Sequence, residues 1–432
     1  TTAQGPHQGA TMTTSPRRLV SLGRLALAAV ALLILLAVVL LASGRNFTGY
    51  PLTYTYRKLF WGDSTVGDKF RFPSRALTAS PQPYHFRTPA DAQAARQILQ
   101  ATSGSGDFER MLADQGTEAL LVLHGDTLLY EGYFNGTQRD TLLTSFSVAK
   151  SISSALVGIA LGEGKLHSLN DPITRYLPEL AARDPRFAQI TLRDLMTMTS
   201  GIQYVDRGPR FDSDASLTYI YPDLRELCLQ RTRMDDTPGV HWLYNTYNPI
   251  LMGIILERAT GMSVTAYTQE KLWGPLGMEY AGSWSVDQEP GGMEKMESGF
   301  NARAIDFAKF GQLILDGGAW QGRQVLPRSW VAESTTADPA RDHPGYYRPG
   351  SSFYQWTPPG EQGYYAYWWW GWHEPDGRVS FAANGKHGQF IFISPADRVV
   401  IVRNGTRIGR PGREWFAWFQ RAAHAIGAQN VQ

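Results

Sequence analysis

The chain reads S-F-S-V-A-K-S at Ser145–Ser151, and this run carries the strongest structural and chemical signal in the sequence. It opens an amphipathic stretch from Ser147 to Gly164, which predicts a helix. Residues three apart face the same side of a helix, with Cβ atoms about 5–6 Å apart. The Ser147 hydroxyl and the Lys150 amine can therefore exchange a proton, and N–H groups at a helix start favour negative charge on the serine oxygen. This arrangement indicates a nucleophile, Ser147, activated by Lys150.

Composition excludes several classes of protein. The chain has 432 residues, of which 43% are hydrophobic and 19% charged, as in a folded protein with a sizeable core. The net charge is +2 and there is no block of Lys and Arg, so we expect no nucleic-acid partner. One cysteine, Cys228, excludes an intrachain disulfide and is expected to be a small buried side chain. No Cys/His cluster has zinc spacing, and we predict neither metal nor cofactor.

An apolar run at Leu25–Ala42 has the length of a membrane span. Its 18 residues would form a helix of about 27 Å. Arg17, Arg18 and Arg24 precede the run, which predicts a cytoplasmic N-terminus and an extracytoplasmic remainder. A cleaved signal peptide is the alternative, but its apolar core has about 7–15 residues. We expect a retained single-pass anchor in the cell membrane.

The remaining pattern predicts one catalytic domain. We expect a cytoplasmic tail at 1–24, an anchor at 25–43, a linker at 44–89 and a domain at 90–428. Apolar alternation predicts strands near both ends of that domain, with a helical insertion at about 165–360 between them. The fold class is thus α/β, with a mainly antiparallel sheet flanked by helices. The predicted strands are Ala119–Leu123, Thr127–Phe134, Tyr364–Trp372, Val379–Ala383, Phe390–Ser394 and Arg398–Arg403. The predicted helices outside Ser147–Gly164 are Ala90–Ala113, Thr191–Met198, Tyr247–Thr260, Ser263–Leu272, Ala302–Leu315, Arg328–Ser334 and Arg413–Ile426.

Further motifs follow the Ser147 helix in a fixed order. They are L-N-D-P at Leu169–Pro172, I-T-L-R-D-L-M-T-M-T-S-G at Ile190–Gly201, Y-N-T at Tyr244–Thr246, and G-K-H-G-Q at Gly385–Gln389. In this order they resemble the serine β-lactamase and penicillin-binding-protein superfamily. The closer likeness is to its class C-like branch, which includes esterases, DD-peptidases and 6-aminohexanoate-dimer hydrolases. The similarity covers about Gly116 to Val402.

The resemblance implies roles for three further residues. Tyr244 falls at the tyrosine motif and would relay a proton to the leaving group. The family's Lys-Thr-Gly is absent, and Lys386 and His387 lie in its place as candidate substrate-binding residues. Lys386 could instead be an exposed lysine at a strand end, and His387 could be structural. An oxyanion would be held by the Ser147 N–H and one N–H of the strand edge near Lys386.

The chemistry needs a base that works at neutral pH. Lysine and tyrosine normally titrate near 10, but burial disfavours a charged lysine and a neighbouring ammonium favours tyrosinate. The sequence leaves open whether Lys150 or Tyr244 holds the proton.

The predicted function is a membrane-anchored serine hydrolase that acts on small esters or amides through an acyl-enzyme. The alternatives are a β-lactamase or DD-peptidase, or a non-catalytic recognition protein of the penicillin-binding type. The aromatic run Tyr364–Trp372 could line an acyl pocket, but sheet core with one face toward the cleft is the preferred interpretation. The loop Gly201–Tyr221 is expected at the cleft rim. The oligomeric state is not predicted.

Overall fold

A computed structural model describes residues 1–2, 5, 24–39, 49–89, 93–206, 213–341, 345–347 and 351–428. The chain divides into two compact units, Thr1–Gly62 and Asp63–Gln432. The second unit thus includes residues 63–89, which lie in the segment predicted as a linker.

The first unit contains two helices, α1 at residues 24–39 and α2 at Leu52–Phe60. The Leu, Val and Ile side chains of α1 are exposed. Among the described residues, no helix has both the length and the apolarity that crossing a bilayer requires. The predicted transmembrane helix is to that extent unsupported, and residues 40–43 of the predicted anchor lie outside the described part of the chain.

Helices and strands of the second unit follow the predicted order. The helices are α3 Gln93–Ser103, α4 Phe108–Asp114, α5 Val148–Gly162, α6 Pro178–Arg183, α7 Leu192–Met196, α8 Asp214–Ile220, α9 Leu224–Glu226, α10 Tyr247–Thr260, α11 Val264–Thr268, α12 Ala304–Leu315, α13 Arg328–Ser334 and α14 Gly412–Ala428. The strands are β1 Ser74–Leu77, β2 Thr117–His124, β3 Thr127–Tyr133, β4 Leu143–Thr144, β5 Gly282–Ser285, β6 Phe300–Ala302, β7 Ala319–Trp320, β8 Arg323–Gln324, β9 Gln362–Ala366, β10 Trp369–His373, β11 Val379–Gly385, β12 Gln389–Ser394 and β13 Val399–Gly405.

The main sheet joins the two ends of the domain, as predicted. Its strand order is β3-β2-β13-β12-β11-β10-β9, and every pair is antiparallel. The N-terminal hairpin meets the C-terminal strands where Ile401 pairs with Val122. Strands β2, β12 and β13 are nearly continuous apolar runs, because successive side chains point to opposite faces of the sheet and both faces are buried, and this made them predictable.

Helices cover both faces of this sheet. Ile391 and Val400 face α12, where they approach Gly311 so closely that a Cβ there would lie 2.6 Å from Val400. Phe390 and Phe392 point the other way and contact the aromatic rings of α14 at 5.1–6.1 Å. The protein core therefore has two layers, one between the sheet and α12 and one between the sheet and α14.

Three parts of the predicted fold were wrong in detail. The helix predicted at Ala90–Ala113 is two helices, α3 and α4, because Asp107 caps the start of the second one. The predicted strand Tyr364–Trp372 is a hairpin, β9 and β10, because Tyr367 and Trp368 form its turn with positive φ angles of 37° and 71°. The region predicted as a helical insertion also contains strands. A second sheet, in the order β1-β5-β6-β4, brings residues of that region against the chain segment just before α5.

Candidate active site

Ser147 and Lys150 are in direct contact at the start of α5. Lys150 Nζ donates to Ser147 Oγ at 2.9 Å and to the Glu297 carbonyl oxygen at 2.8 Å. The Ser147 hydroxyl makes no capping hydrogen bond to its own helix, which leaves it available to Lys150. Lys150 is only 2% exposed. Burial lowers its pKa from 10.5 to about 7, against a smaller opposing effect of the Glu297 charge. The amine can therefore act as a base at neutral pH.

A strained turn presents Ser147 to the cleft. Phe146 has a φ of 43°, a left-handed conformation that is uncommon for a residue with a side chain. The turn is anchored on the second sheet, since Ser145 N donates to the Phe300 carbonyl oxygen at 2.9 Å. Outliers of this kind concentrate at functional sites because the surrounding structure must hold them in place.

Tyr244 reaches the same site from the loop before α10. Its ring centroid lies 5.0 Å from Lys150 Nζ, and its hydroxyl is hydrogen-bonded with Ser147. The loop is held on both sides of the tyrosine: Leu243 N donates to the Met198 carbonyl oxygen at 2.9 Å, and Asn245 Nδ2 donates to that of Ile202 at 2.8 Å. The structure thus brings together the hydroxyl, amine and phenol that the sequence placed in three separate motifs.

The pKa directions separate the roles of the amine and the phenol. Burial raises the pKa of Tyr244 above its ordinary value, and the hydrogen bond with Ser147 offsets only part of that rise. Tyr244 therefore holds its proton at neutral pH, whereas the Lys150 amine titrates there and is neutral in a large fraction of the molecules. Of the two alternatives that the sequence left open, the structure favours a neutral amine beside an intact phenol.

The C-terminal end of β11, beyond its pairing with β10, lies against the backbone of the nucleophile. A Cβ on Gly385 would lie 2.4 Å from the Ser145 carbonyl oxygen and 3.1 Å from Ser147 N. Only a residue without a side chain permits this approach. The strand edge and the Ser147 N–H are therefore adjacent, as an oxyanion site requires.

The side chains of Lys386 and His387 turn to other partners. Lys386 Nζ lies 2.7 Å from the Asp63 carboxylate and 2.6 Å from Ser64 Oγ. His387 Nε2 lies 2.8 Å from the Ser64 carbonyl oxygen, and burial lowers the pKa of its ring. Within the described part of the chain, neither side chain contacts Ser147, Lys150 or Tyr244. Their role in substrate binding stays a prediction.

Aromatic side chains form one wall around Tyr244. Trp242, Tyr365 and Trp370 have ring centroids 5.8–6.2 Å from that of Tyr244. Trp369 points to the opposite face, where its ring packs against Phe310 and Phe381 in the core. The aromatic run therefore serves both as sheet core and as one face of the cleft, in agreement with the preferred interpretation.

Sequence reasoning missed a buried ion pair beneath Lys150. Lys295 Nζ and Glu297 Oε1 are 2.7 Å apart, and their side chains are 1% and 2% exposed. Two charged residues separated by one position in a loop are common on protein surfaces, so the pattern carries no signal of burial.

A family model and several known proteins match this chain. The family model described as Beta-lactamase matches residues 96–422. A 6-aminohexanoate-dimer hydrolase of Paenarthrobacter ureafaciens is 29% identical over 324 residues, which cover 72% of this chain and 77% of the relative. Esterase EstB of Burkholderia gladioli is 31% identical over 231 residues, which cover 49% of this chain and 57% of the esterase.

Solved structures show the same fold. A Bacillus anthracis protein provisionally named 6-aminohexanoate-dimer hydrolase superposes with a TM-score of 0.67 at 24% identity, covering 85% of this chain and 93% of that protein. A penicillin-binding protein of Bacillus halodurans superposes with a TM-score of 0.54 at 16% identity, covering 74% of this chain and 99% of that protein. At these identities the likeness concerns the fold alone.

Proposed function

Since this chain belongs to the beta-lactamase family, we propose that it hydrolyses small esters or amides through an acyl-enzyme formed on Ser147. The observation that carries the proposal is the contact at 2.9 Å between Ser147 Oγ and a buried lysine whose pKa is lowered to about 7. Nucleophilic catalysis requires a serine that is activated by an adjacent base. A protein that only binds its ligand does not require such a base.

The reaction then proceeds in two halves. Neutral Lys150 takes the Ser147 proton while Oγ attacks the substrate carbonyl, and the oxyanion is held by backbone N–H groups of Ser147 and the β11 edge. Each such donor is worth about 3–4 kcal/mol. Tyr244 gives its proton to the leaving oxygen or nitrogen and recovers one from Lys150. Water then attacks the acyl-enzyme by the same route in reverse, which releases the acid and restores Ser147.

The proposed substrate class is inferred from the named relatives and from the sequence Gly385–Gln389. The hydrolase of Paenarthrobacter ureafaciens and esterase EstB are named for an amide dimer and for esters. This chain has Gly385–Gln389 where the β-lactam-processing branch has Lys-Thr-Gly, and its Lys386 is paired with Asp63. We therefore place small esters and amides ahead of β-lactams and of D-alanyl peptides.

The test is a Ser147→Ala variant assayed on p-nitrophenyl esters, nitrocefin, D-Ala-D-Ala peptides and linear amides. We expect loss of all turnover and loss of the mass adduct that a fluorophosphonate leaves on the wild type. Ser154→Ala is the matched control, because this serine lies on the same helix and its buried hydroxyl has no hydrogen-bond partner in the described structure. Ester hydrolysis by Ser147→Ala at the wild-type rate would contradict the proposal. A wild type that binds ligands without forming an adduct would favour the recognition protein.

Attachment to the cell membrane, with the catalytic unit outside the cytoplasm, is a separate proposal. It is supported by the apolar run at Leu25–Ala42 and the arginines before it. Fractionation of cells that express the full chain tests it, with protease added to intact cells to report the side of the membrane. Recovery of the full-length chain in the fraction without membranes would contradict it.

A further inference from the structure

A buried ion pair lies next to the proposed general base and takes no part in the steps above. Lys295 and Glu297 are 2.7 Å apart and almost completely buried. Lys295 Nζ also donates to the Tyr219 carbonyl oxygen at 2.7 Å and lies 4.7 Å from the ring centroid of Phe72. Burying two charges costs several kcal/mol per ion before their attraction is counted, so such pairs are poor sources of stability. The presence of this ion pair beside Lys150 therefore needs an explanation other than stability.

Glu297 links the pair to Lys150 directly. Its carbonyl oxygen accepts a hydrogen bond from Lys150 Nζ at 2.8 Å. Its carboxylate is bound on one oxygen by Lys295 and by Ser298 Oγ at 3.0 Å, while the other oxygen is buried without a hydrogen-bond partner in the described structure. One residue therefore both orients the amine and places a negative charge close to it.

We propose that the Lys295–Glu297 ion pair is a positioning device for Lys150. It fixes the Glu297 carbonyl against the amine, and each partner offsets part of the charge that the other alone would place near the amine. The proposal rests on the hydrolytic role of Ser147 and Lys150 given above. The side chains of Lys295 and Glu297 contact neither Ser147 nor Tyr244 in the described structure, so their effect is exerted through Lys150, which the Glu297 carbonyl oxygen contacts.

The charged and titratable groups around this assembly come from several elements. Those facing Lys150 itself are Ser147 of α5, Tyr244 of the loop before α10, and Glu297. Those facing the ion pair are Tyr219 of α8, Cys228 of the π-helical segment Leu227–Arg231 and Asp287 after β5. The Tyr219 hydroxyl in turn donates to Asp68. Among the described residues, Glu297 is the charged group that acts on the amine, and its ion pair with Lys295 can be removed without replacing Ser147 or Tyr244.

Opposite pH shifts of two single variants test the proposal. Glu297→Gln leaves Lys295 as an uncompensated positive charge, which disfavours the protonated form of Lys150. The acidic limb of the pH profile of kcat/KM should therefore move to lower pH by about one unit. Lys295→Met leaves Glu297 as an uncompensated negative charge, which favours the protonated form of Lys150. The acidic limb should therefore move to higher pH by a similar amount. The double variant removes both charges and should return the limb to within about half a unit of the wild type.

The controls separate this inference from a structural role. Lys309→Met breaks another buried ion pair, that of Lys309 with Asp306 and Glu279, and should lower the melting temperature without moving the limb. If a single variant does not fold, Glu297→Asp decides. It keeps the charge, but its shorter side chain reaches Lys295 only if the backbone moves toward Lys295, which draws the carbonyl away from Lys150. The kcat should then fall several-fold with the limb unmoved. Shifts of both single variants in the same direction, no shift in either, or an unaltered kcat in Glu297→Asp would overturn the inference. Absence of a fluorophosphonate adduct on wild-type Ser147 would instead overturn the proposed function.

Discussion

The rings of Phe146 and His387 meet with centroids 5.0 Å apart, and both residues have left-handed backbones, with φ of 43° and 64°. Phe146 belongs to the turn before α5, and His387 belongs to the turn after β11. These two turns flank Ser147. A left-handed conformation costs a residue with a side chain about 1–2 kcal/mol. The contact between the two rings stabilises both turns in this conformation.

This contact predicts that His387 is needed for shape and not for proton transfer. Replacing His387 with Asn keeps a residue that tolerates the left-handed conformation but removes the ring contact and the contact with Ser64. We expect a stability loss of about 1 kcal/mol and a kcat within about tenfold of the wild type. Thermal melts and ester hydrolysis measure both. A loss of activity comparable to that of Ser147→Ala, with the fold intact, would instead make His387 part of the catalytic machinery.

The state of Lys150 predicts the pH dependence of catalysis. Because the amine must be neutral to accept the Ser147 proton, kcat/KM should rise about tenfold per pH unit below the pKa of about 7 and level off above it. Tyr244, whose pKa is raised by burial, keeps its proton throughout this range. Hydrolysis of a p-nitrophenyl ester from pH 5 to 9 measures the limb. A limb near pH 10 would show that Lys150 stays charged at neutral pH.

The same lysine should reduce the stability of the fold. Burial lowers its pKa from 10.5 to about 7, so the unfolded chain binds more protons between these values and stability rises with pH across that window. Lys150→Met removes the penalty, which is complete below pH 7. We expect the variant to be inactive and more stable by about 2–4 kcal/mol at pH 6, after the loss of two hydrogen bonds is counted. Urea unfolding should show this advantage shrinking toward pH 10, and a constant difference would contradict the assignment.

The sequence allowed some of the fold to be predicted because the signals were local. Strands β2, β12 and β13 are nearly continuous runs of apolar residues. Strand β5, in contrast, reads Gly-Ser-Trp-Ser, and it exists because Ser74 and Ser285, far apart in the chain, pair across two strands. The turn at Tyr367 and Trp368 was missed for a related reason, since aromatic residues carry no turn signal.

Some residues of the candidate site were likewise predictable from local sequence patterns, and others were not. Ser147 and Lys150 follow from three-residue spacing on one helix, whereas Tyr244 followed only from the order of family motifs. The Glu297 contact with Lys150 joins residues 147 positions apart and uses a backbone carbonyl. Every residue has such a carbonyl, so no sequence pattern could have marked this one.

The close approach of Gly385 to the nucleophile predicts a steric effect on catalysis. A Cβ at this position would overlap the Ser145 carbonyl oxygen, so Gly385→Ala should push the β11 edge away from the Ser147 N–H. Because an oxyanion donor is worth about 3–4 kcal/mol, we expect kcat to fall at least 100-fold with a smaller change in KM. Gly106→Ala is the matched control, since its Cβ would meet nothing within 4 Å. A Gly385→Ala enzyme with wild-type kcat would place the oxyanion elsewhere.

The guanidinium of Arg403 holds the turn that carries Lys386 and His387. It is buried, and its hydrogen-bond acceptors are neutral: Thr117 Oγ1 at 3.0 Å and the carbonyl oxygens of Gly388 at 2.7 Å, Gln115 at 3.2 Å and Arg407 at 3.2 Å. Burial lowers the pKa of this side chain. Its cation also lies 4.1 Å from the ring centroid of Trp415.

This arrangement predicts that lysine cannot replace Arg403. A lysine has three donors at one point and cannot reach four acceptors that surround a planar group. We expect Arg403→Lys to lose about 3 kcal/mol of stability and at least tenfold in kcat, because the turn at Gly388 loses its anchor beside the β11 edge. Denaturant unfolding and steady-state kinetics measure the two effects. Arg421→Lys is the control, because Arg421 is exposed and, among the described residues, hydrogen-bonds only the Thr102 carbonyl oxygen. Loss of stability in Arg403→Lys with an unchanged kcat would show that the turn keeps its position without this anchor.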